Sequence, residues 1–200
     1  MSMNILVAGA TGKTGRKLVQ DILDLGHKPT ALVRKSSDTS SLPAGVELRN
    51  GDLIDLQEDV CEGMDAVVFA AGSGGSTGPE MTDKVDREGA RRLVDLARKA
   101  GVERFVMLSS IGADQSNPEG KLAHYLKAKH DADEHLKSSG LTYAILRPVA
   151  LTENGRSADV ILGETVDKSA EASRADVAYV LAQAVATGRY DGQALNMQSA

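Results

Sequence analysis

Residues 4–19 read NILVAGATGKTGRKLV and contain two phosphate-binding signatures that exclude each other. From Gly12 onward, Gly-Lys-Thr matches the end of a nucleoside-triphosphate P-loop, in which the first glycine stands five positions before the second. That position is Val7, inside an apolar run typical of a buried strand. A β-branched strand residue cannot wrap the backbone around phosphates, so the P-loop interpretation is excluded.

The same stretch fits a dinucleotide-binding loop, because its glycines recur every third position between a strand and a helical apolar pattern. A strand, a glycine turn and a helix N-terminus present backbone N–H groups and a positive dipole end to a pyrophosphate. The loop residues predicted to hold the cofactor are Gly9, Thr11, Gly12, Lys13, Thr14 and Gly15.

Composition restricts the class of protein. The chain has 200 residues, a formal net charge of −5 without a basic block, one cysteine and no tryptophan. Nucleic acid therefore gains no general electrostatic attraction, and a disulfide within the chain is excluded. The first residues predict a strand rather than a signal peptide, and no apolar run approaches the ~18 residues of a membrane span. We expect a cytoplasmic protein with no nucleic-acid or membrane partner.

Apolar runs of strand length alternate with longer helical patterns along nearly the whole chain. Strands are predicted near 4–9, 30–34, 46–50, 65–71, 104–109, 142–147 and 194–197, and helices near 13–25, 56–63, 81–100, 121–138 and 174–187. Continuously apolar strands indicate a parallel sheet that is covered on both faces. We predict one doubly wound α/β domain over 1–200, with strand order 3-2-1-4-5-6, a short seventh strand and a small lid within 148–173.

The end of the second predicted strand bears on which nicotinamide cofactor would bind. NAD-binding loops of this kind place a carboxylate about 20 residues beyond the last glycine, where it binds the ribose 2′-hydroxyl. At that distance from Gly15 the chain has Arg34 and then Lys35, and the nearest acid, Asp38, lies too far along. A guanidinium pairs with a 2′-phosphate that a carboxylate would repel. We expect NADP(H) to be preferred over NAD(H).

With these features the chain resembles the atypical short-chain dehydrogenase/reductase family, compact NAD(P)-binding proteins often described as epimerase-like. The resemblance covers nearly the full length and is carried by GATGKTGR at 9–16, ALVR at 31–34, NGDL at 50–53, FAAG at 69–72, FVMLSS at 105–110, YLKAK at 125–129, SGLTYAILRP at 139–148 and SRADVA at 173–178. It implies a Rossmann fold and further cofactor contacts. These would be Asp52 and Leu53 beside the adenine, Ala70, Ala71 and Gly72 beside the adenosine ribose, and Pro148 and Val149 behind the nicotinamide.

The resemblance also implies a catalytic centre, formed by Tyr125 and Lys129 with Ser109 or Ser110 upstream. Residues i and i+4 share a helix face, so the ammonium can stabilise a phenolate and also reach the nicotinamide ribose. The tyrosine would exchange a proton with the substrate oxygen while the serine hydrogen-bonds that oxygen. We choose Ser110, the last residue of its apolar run, where a side chain can emerge above the sheet.

The helix that carries this pair offers a test of the catalytic interpretation. Lys129 lies within the apolar stripe of the helix, which favours a catalytic role over a helix that merely retains the pair. If Lys129 lies in the cleft near both the ribose and Tyr125, its replacement by Met should weaken cofactor binding, nearly abolish any reductase activity and have little effect on fold stability. No metal site is expected, because the helix histidines His124, His130 and His135 point in different directions.

The length of chain beyond the predicted core limits the substrate. Only 52 residues follow Pro148, which leaves room for a shallow lid and favours small or flat acceptors such as quinones, aldehydes or flavins. An NADP(H)-dependent reductase is the function that we expect. A non-catalytic NADP(H)-binding sensor is the alternative, and a sugar-nucleotide epimerase or dehydratase comes third. The sequence leaves the substrate and the oligomeric state open.

Overall fold

The strand that precedes the glycine loop lies inside an eight-stranded sheet in the computed structural model, which describes residues 1–157 and 159–200. The strands are β1 Asn4–Ala8, β2 Lys28–Val33, β3 Glu47–Asn50, β4 Ala66–Phe69, β5 Arg104–Leu108, β6 Thr142–Pro148, β7 Ala150–Thr152, β8 Val160–Leu162, β9 Glu171–Ser173 and β10 Gln193–Ser199. The order in the sheet is β3-β2-β1-β4-β5-β6-β10-β8, in which β8 runs antiparallel to its neighbour. The predicted order of the first six strands is therefore confirmed, and the predicted seventh strand is β10, which has seven residues and runs parallel to β6.

Helices cover both faces of this sheet. They are α1 Gly15–Asp24, α2 Pro79–Met81, a π-helix Thr82–Gly89, α3 Ala90–Lys99, α4 Ala123–Ser138 and α5 Arg174–Thr187. Alternate residues of β1 enter two separate apolar cores, one with α1 and α5 and the other with α3 and α4. Within the described part of the chain, none of the helices combines the length and apolar character needed to cross a membrane.

The helix predicted over 56–63 is wrong, because this segment forms a series of turns. Arg49 Nη1 donates hydrogen bonds to the carbonyl oxygens of Val60 at 2.8 Å and of Glu62 at 2.9 Å. Gly63 adopts a left-handed conformation with φ of 73°. The guanidinium thus binds carbonyls that a continuing helix would use itself, and the apolar residues of the segment are buried without a helix.

The segment predicted as a lid is attached to the domain at several points. Strand β7 pairs with β9 in a separate two-stranded sheet, and β8 extends the main sheet at β10. Between β7 and β8, Arg156 Nη2 lies 2.6 Å from both carboxylate oxygens of Asp21 in α1. The Ser157 N–H donates to Asp176 in α5 at 3.0 Å. These contacts fix Arg156 and Ser157 against α1 and α5, and the role of the predicted lid over a substrate stays a prediction.

Candidate functional site

The glycine loop is pressed against the backbone that follows β4. Gly9 has a φ of 83°, and a Cβ there would lie 2.6 Å from Ala71 Cα. At Gly15 a Cβ would overlap the carbonyl oxygen of Gly9. Only glycine fits at positions 9 and 15, so close packing accounts for two of the three glycines in the loop. Because β1 and β4 are the neighbours at which the strand order reverses, the loop lies at the crevice where open α/β sheets bind ligands.

The loop has the backbone geometry of an anion site. The Gly12 N–H donates to the Gly9 carbonyl at 3.1 Å, and α1 then begins at Gly15. Thr14, at the N-cap, makes no side-chain capping hydrogen bond within the described residues. The first N–H groups of a helix have no partner in the helix itself; the Arg16 N–H donates to the Gly12 carbonyl at 3.0 Å, and the other amides at this helix start can receive a pyrophosphate. The residues present therefore fit a dinucleotide.

The other predicted cofactor residues share one edge of the sheet. Each set follows the carboxyl end of a parallel strand: Arg34 and Lys35 after β2, Asp52 and Leu53 after β3, Ala70, Ala71 and Gly72 after β4, and Pro148 and Val149 at the end of β6. Arg34 and Lys35 are exposed, whereas Pro148 and Val149 are buried. The edge thus has a solvated basic end near β2 and an apolar end near β6.

Lys129 is buried beneath this edge rather than placed in an open cleft. Its side chain is 4% exposed, and Nζ lies 3.4 Å from the carbonyl oxygen of Leu108, the last residue of β5. The same Nζ lies 5.7 Å from the ring centroids of Tyr125 and Phe69. Tyr125 itself is half-buried. The predicted pair is therefore close in space, and its lysine is buried, as expected for a residue in the apolar stripe of the helix.

A carboxylate that sequence reasoning missed is the nearest partner of this lysine. Asp86, in the π-helix, is fully buried, and its Oδ1 lies 3.1 Å from Lys129 Nζ. Burial alone would lower the pKa of Lys129, but Tyr125 and Asp86 outweigh it, and the pKa is raised above its ordinary value. The charged form of Lys129 is therefore favoured by the groups beside it, despite its burial.

The two candidate serines have different surroundings. Ser109 is buried, and its Oγ donates to Asp133 at 2.9 Å, while Arg147 Nε donates to the same oxygen at 3.0 Å. Burial raises the pKa of Asp133, although Arg147 and Ser109 oppose the change. Ser110 is half-buried, with its Oγ 3.4 Å from the carbonyl oxygen of Ile111. Ser109 thus belongs to a buried cluster, and Ser110 is the more exposed of the two serines.

Comparison with known proteins agrees with this geometry. A family model described as NAD(P)H-binding matches residues 9–187. A Bacillus subtilis (strain 168) protein named as an uncharacterized sugar epimerase, YhfK, is 39% identical over 184 residues, which cover 88% of this chain and 85% of that protein.

Two solved structures are similar over almost the whole chain. One, from Bacillus halodurans and named for an NAD-dependent epimerase/dehydratase, gives a TM-score of 0.92 at 32% identity, with 100% of this chain and 95% of that chain covered. The other, the oxidoreductase ylbE of Lactococcus lactis, gives 0.87 at 30% identity, with 99% and 91% covered. The glycine loop at the β1–β4 crevice and the match over most of the chain place this protein in the NAD(P)H-binding family, among the atypical short-chain dehydrogenase/reductase-like Rossmann proteins.

Proposed function

We propose that this protein binds NADP(H) in preference to NAD(H) and reduces a small carbonyl, quinone or flavin-type acceptor by hydride transfer. The observation that carries the proposal is the Tyr125–Lys129 pair. Lys129 Nζ lies beside the last carbonyl of β5, 5.7 Å from the centroid of the Tyr125 ring. The name of the similar Lactococcus protein, an oxidoreductase, supports this class of reaction. We further propose that the protein is cytoplasmic, as its single cysteine suggests.

The contacts of Lys129 leave it able to serve such a reaction. An ammonium has three N–H donors; within the described residues Lys129 donates one to the Leu108 carbonyl, while Asp86 Oδ1 lies at ion-pair distance, 3.1 Å away. We propose that a remaining donor binds a ribose hydroxyl. Bound NADPH would supply the hydride. Tyr125 would donate its phenolic proton to the acceptor oxygen, Lys129 would stabilise the phenolate that remains, and Ser110 would hydrogen-bond the same oxygen.

The preference for NADP(H) is supported by the end of β2. Arg34 is exposed directly after this strand, where its guanidinium can reach a 2′-phosphate. The nearest acid, Asp38, accepts a hydrogen bond from the Ser40 N–H at 2.9 Å, and its contacts with Ser40 lower the pKa of Asp38. This carboxylate is occupied in its own turn and is a poor substitute for the acid that binds a ribose 2′-hydroxyl.

Calorimetry with NADPH and NADH tests the cofactor preference. Arg34→Ala should weaken NADPH binding by roughly tenfold to a hundredfold, the value of a charge-assisted pair of about 1.5–3 kcal/mol, with little change for NADH. Lys28→Ala is the matched control, because Lys28 is an exposed cation at the opposite end of the same strand. Equal losses for both cofactors, or a wild type that prefers NADH, would reject the role of Arg34.

Turnover is tested by NADPH consumption across a panel of quinones, aldehydes and flavins. Tyr125→Phe should abolish turnover and retain cofactor binding, whereas Tyr143→Phe, at the opposite end of β6 from the site, should change neither. A wild type that binds NADPH tightly without reducing any acceptor would instead favour the second candidate, a non-catalytic NADP(H)-binding sensor. The burial of Lys129 in an ion pair suits that candidate as well, since such a pair can hold structure without turnover.

One similar protein is named as a sugar epimerase and another as an NAD-dependent epimerase/dehydratase, and these names point to a third activity. We propose a reductase instead, because the described residues after Pro148 form β7 to β10 and α5, and these pack onto the Rossmann core. Conversion of a nucleotide sugar with no net consumption of NADPH would overturn that choice.

A further inference from the structure

An ion bridge connects the glycine loop to the segment predicted as a lid. Lys13 Nζ, from the loop, lies 3.5 Å from Oε1 of Glu153, the residue directly after β7. Arg174, the first residue of α5, donates from Nε to the same oxygen at 2.7 Å. Two cations from different elements thus converge on one carboxylate oxygen. Without a negative charge between them, these like charges would repel each other.

The backbone on both sides of Glu153 is attached to the start of α5. Thr152 is the register partner of Ser173 in the pairing of β7 with β9. Ser173 Oγ also donates to the carbonyl oxygen of Asn154 at 2.7 Å, and Ser173 is the N-cap of α5. The carboxylate of Glu153 is therefore presented to the glycine loop from a fixed position, and its side chain can change partners without a movement of the segment.

The two cations hold this carboxylate unequally. The side chain of Lys13 is 64% exposed, whereas that of Arg174 is 24% exposed and lies closer to Glu153. Exposed ion pairs contribute little to stability, so the contact with Lys13 is easily exchanged. Desolvation would raise the pKa of Glu153, but Arg174 and Lys13 outweigh it, and the pKa is lowered. Glu153 is thus a charged carboxylate at neutral pH, bound firmly by Arg174 and loosely by Lys13.

We propose that Glu153 sets the affinity for the cofactor by competing with the pyrophosphate of the dinucleotide for Lys13. This inference rests on the dinucleotide-binding part of the proposed function and adds an affinity-determining residue to it. Lys13 directly precedes Thr14, the N-cap of α1, so its side chain begins beside the amides that can receive a pyrophosphate. In the free protein the ammonium binds Glu153. When the pyrophosphate binds, the ammonium turns to it, and Arg174 retains the carboxylate.

The exchange has a consequence for turnover. Part of the attraction between Lys13 and the pyrophosphate replaces the attraction between Lys13 and Glu153, so the cofactor binds less tightly than the loop alone would allow. Release of product or cofactor limits the rate of many enzymes, and an internal competitor for the pyrophosphate speeds the release of the oxidised cofactor.

Calorimetry with NADPH and NADH tests the competition. Glu153→Gln keeps the side-chain length and an acceptor for Arg174 but removes the charge, so both cofactors should bind about twofold to fivefold more tightly. The gain should be equal for the two, because both contain the pyrophosphate. Glu103→Gln is the matched control, since Glu103 is an exposed acid just before β5, at the opposite edge of the sheet, and should change neither affinity. Unchanged or weaker binding by Glu153→Gln would overturn the inference.

A second background shows whether Glu153 acts through Lys13. Lys13→Met should itself weaken the binding of both cofactors, and the added Glu153→Gln change should then give no further gain. Equal gains in the two backgrounds would mean that Glu153 merely repels the cofactor, and would reject the competition. ADP-ribose, which has the pyrophosphate but no nicotinamide, should show the same gain as NADPH. A gain confined to NADPH would assign Glu153 to the nicotinamide end and would also reject the competition.

These outcomes can be told apart from a failure of the proposed function. The inference requires neither turnover nor a preference for NADP(H), so the loss of either leaves the equal gain as its test. Glu153→Ala removes the carboxylate altogether and should give a similar gain, which keeps the test decisive if Glu153→Gln is unstable; wild-type affinity in Glu153→Ala would count against the inference. A wild-type protein that binds none of NADPH, NADH and ADP-ribose would reject the proposed function and this inference together.

Discussion

Replacement of Lys129 by Met should strongly destabilise the fold, contrary to the expectation from sequence that this change is mild. The Lys129 side chain is 4% exposed, and its partner Asp86 is 0% exposed. Methionine has nearly the same length and packs readily, so the change in shape costs under about 1.5 kcal/mol. The larger effect is the carboxylate left behind. Breaking a buried ion pair by removal of one partner typically costs about 3–5 kcal/mol.

Urea unfolding followed by circular dichroism measures this loss directly. A decrease of about 3–5 kcal/mol in the free energy of unfolding corresponds to a fall of roughly 6–20 °C in melting temperature for a chain of this size. Lys127→Met is the matched control on the same helix, because Lys127 is 45% exposed and, among the residues that the structure describes, pairs only with Asp131. That surface pair should contribute at most about 1 kcal/mol.

The double variant Lys129→Met/Asp86→Asn separates the orphan carboxylate from the loss of packing. With both charges removed, most of the stability should return, since neutral replacement of a buried pair is often close to neutral in energy. A loss below about 1 kcal/mol in Lys129→Met, or a double variant as unstable as the single one, would refute the reasoning. Such a result would mean that water or a local rearrangement already solvates Asp86.

Three further predictions concern the loop, the attached lid segment and the cysteine. Gly9→Ala should lower the free energy of unfolding by well over the roughly 1–2 kcal/mol of left-handed backbone strain, because the added Cβ meets Ala71. Gly26→Ala is the control in urea unfolding: its φ is 80° and the space around it is open, so it should show the strain alone. Arg156→Ala should expose the segment between β7 and β8 to proteolysis and faster hydrogen exchange, and unchanged cleavage would contradict the attachment to α1. Burial raises the pKa of Cys61 to about 12, so its thiol should resist alkylation at pH ~8 until urea unfolds the chain, and rapid labelling of the native protein would disprove this.

Most of the sheet could be predicted because its strands are continuous apolar runs, a pattern that depends little on distant residues. The errors lie where a distant contact decides the local structure. Residues 56–63 have apolar spacing compatible with a helix, but Arg49, on β3, binds two of their carbonyls. Strand β8 has residues that favour strands, Val160 and Ile161, but it is only three residues long, too short a run to predict a strand without its pairing to β10.

The site was predicted less completely than the fold, although the missing residue left a trace in the sequence. Lys129 is a charged residue in the apolar stripe of its helix, a place where a charge needs a partner. Asp86 lies in the apolar stripe of its own helix in the same way. Asp86 stands four residues before Ala90 and seven before Leu93, both of which are fully buried. Two opposite charges, each in the buried register of its own helix, predict one another when the two helices pack on the same face of a sheet. What the sequence lacks is the contact between α4 and the π-helix, which brings the two stripes together. That contact pairs both charges out of water, and a buried ion pair can be purely structural. A catalytic centre must therefore be shown by a change in cofactor binding when Asp86 or Lys129 is replaced, rather than by the burial of the lysine alone.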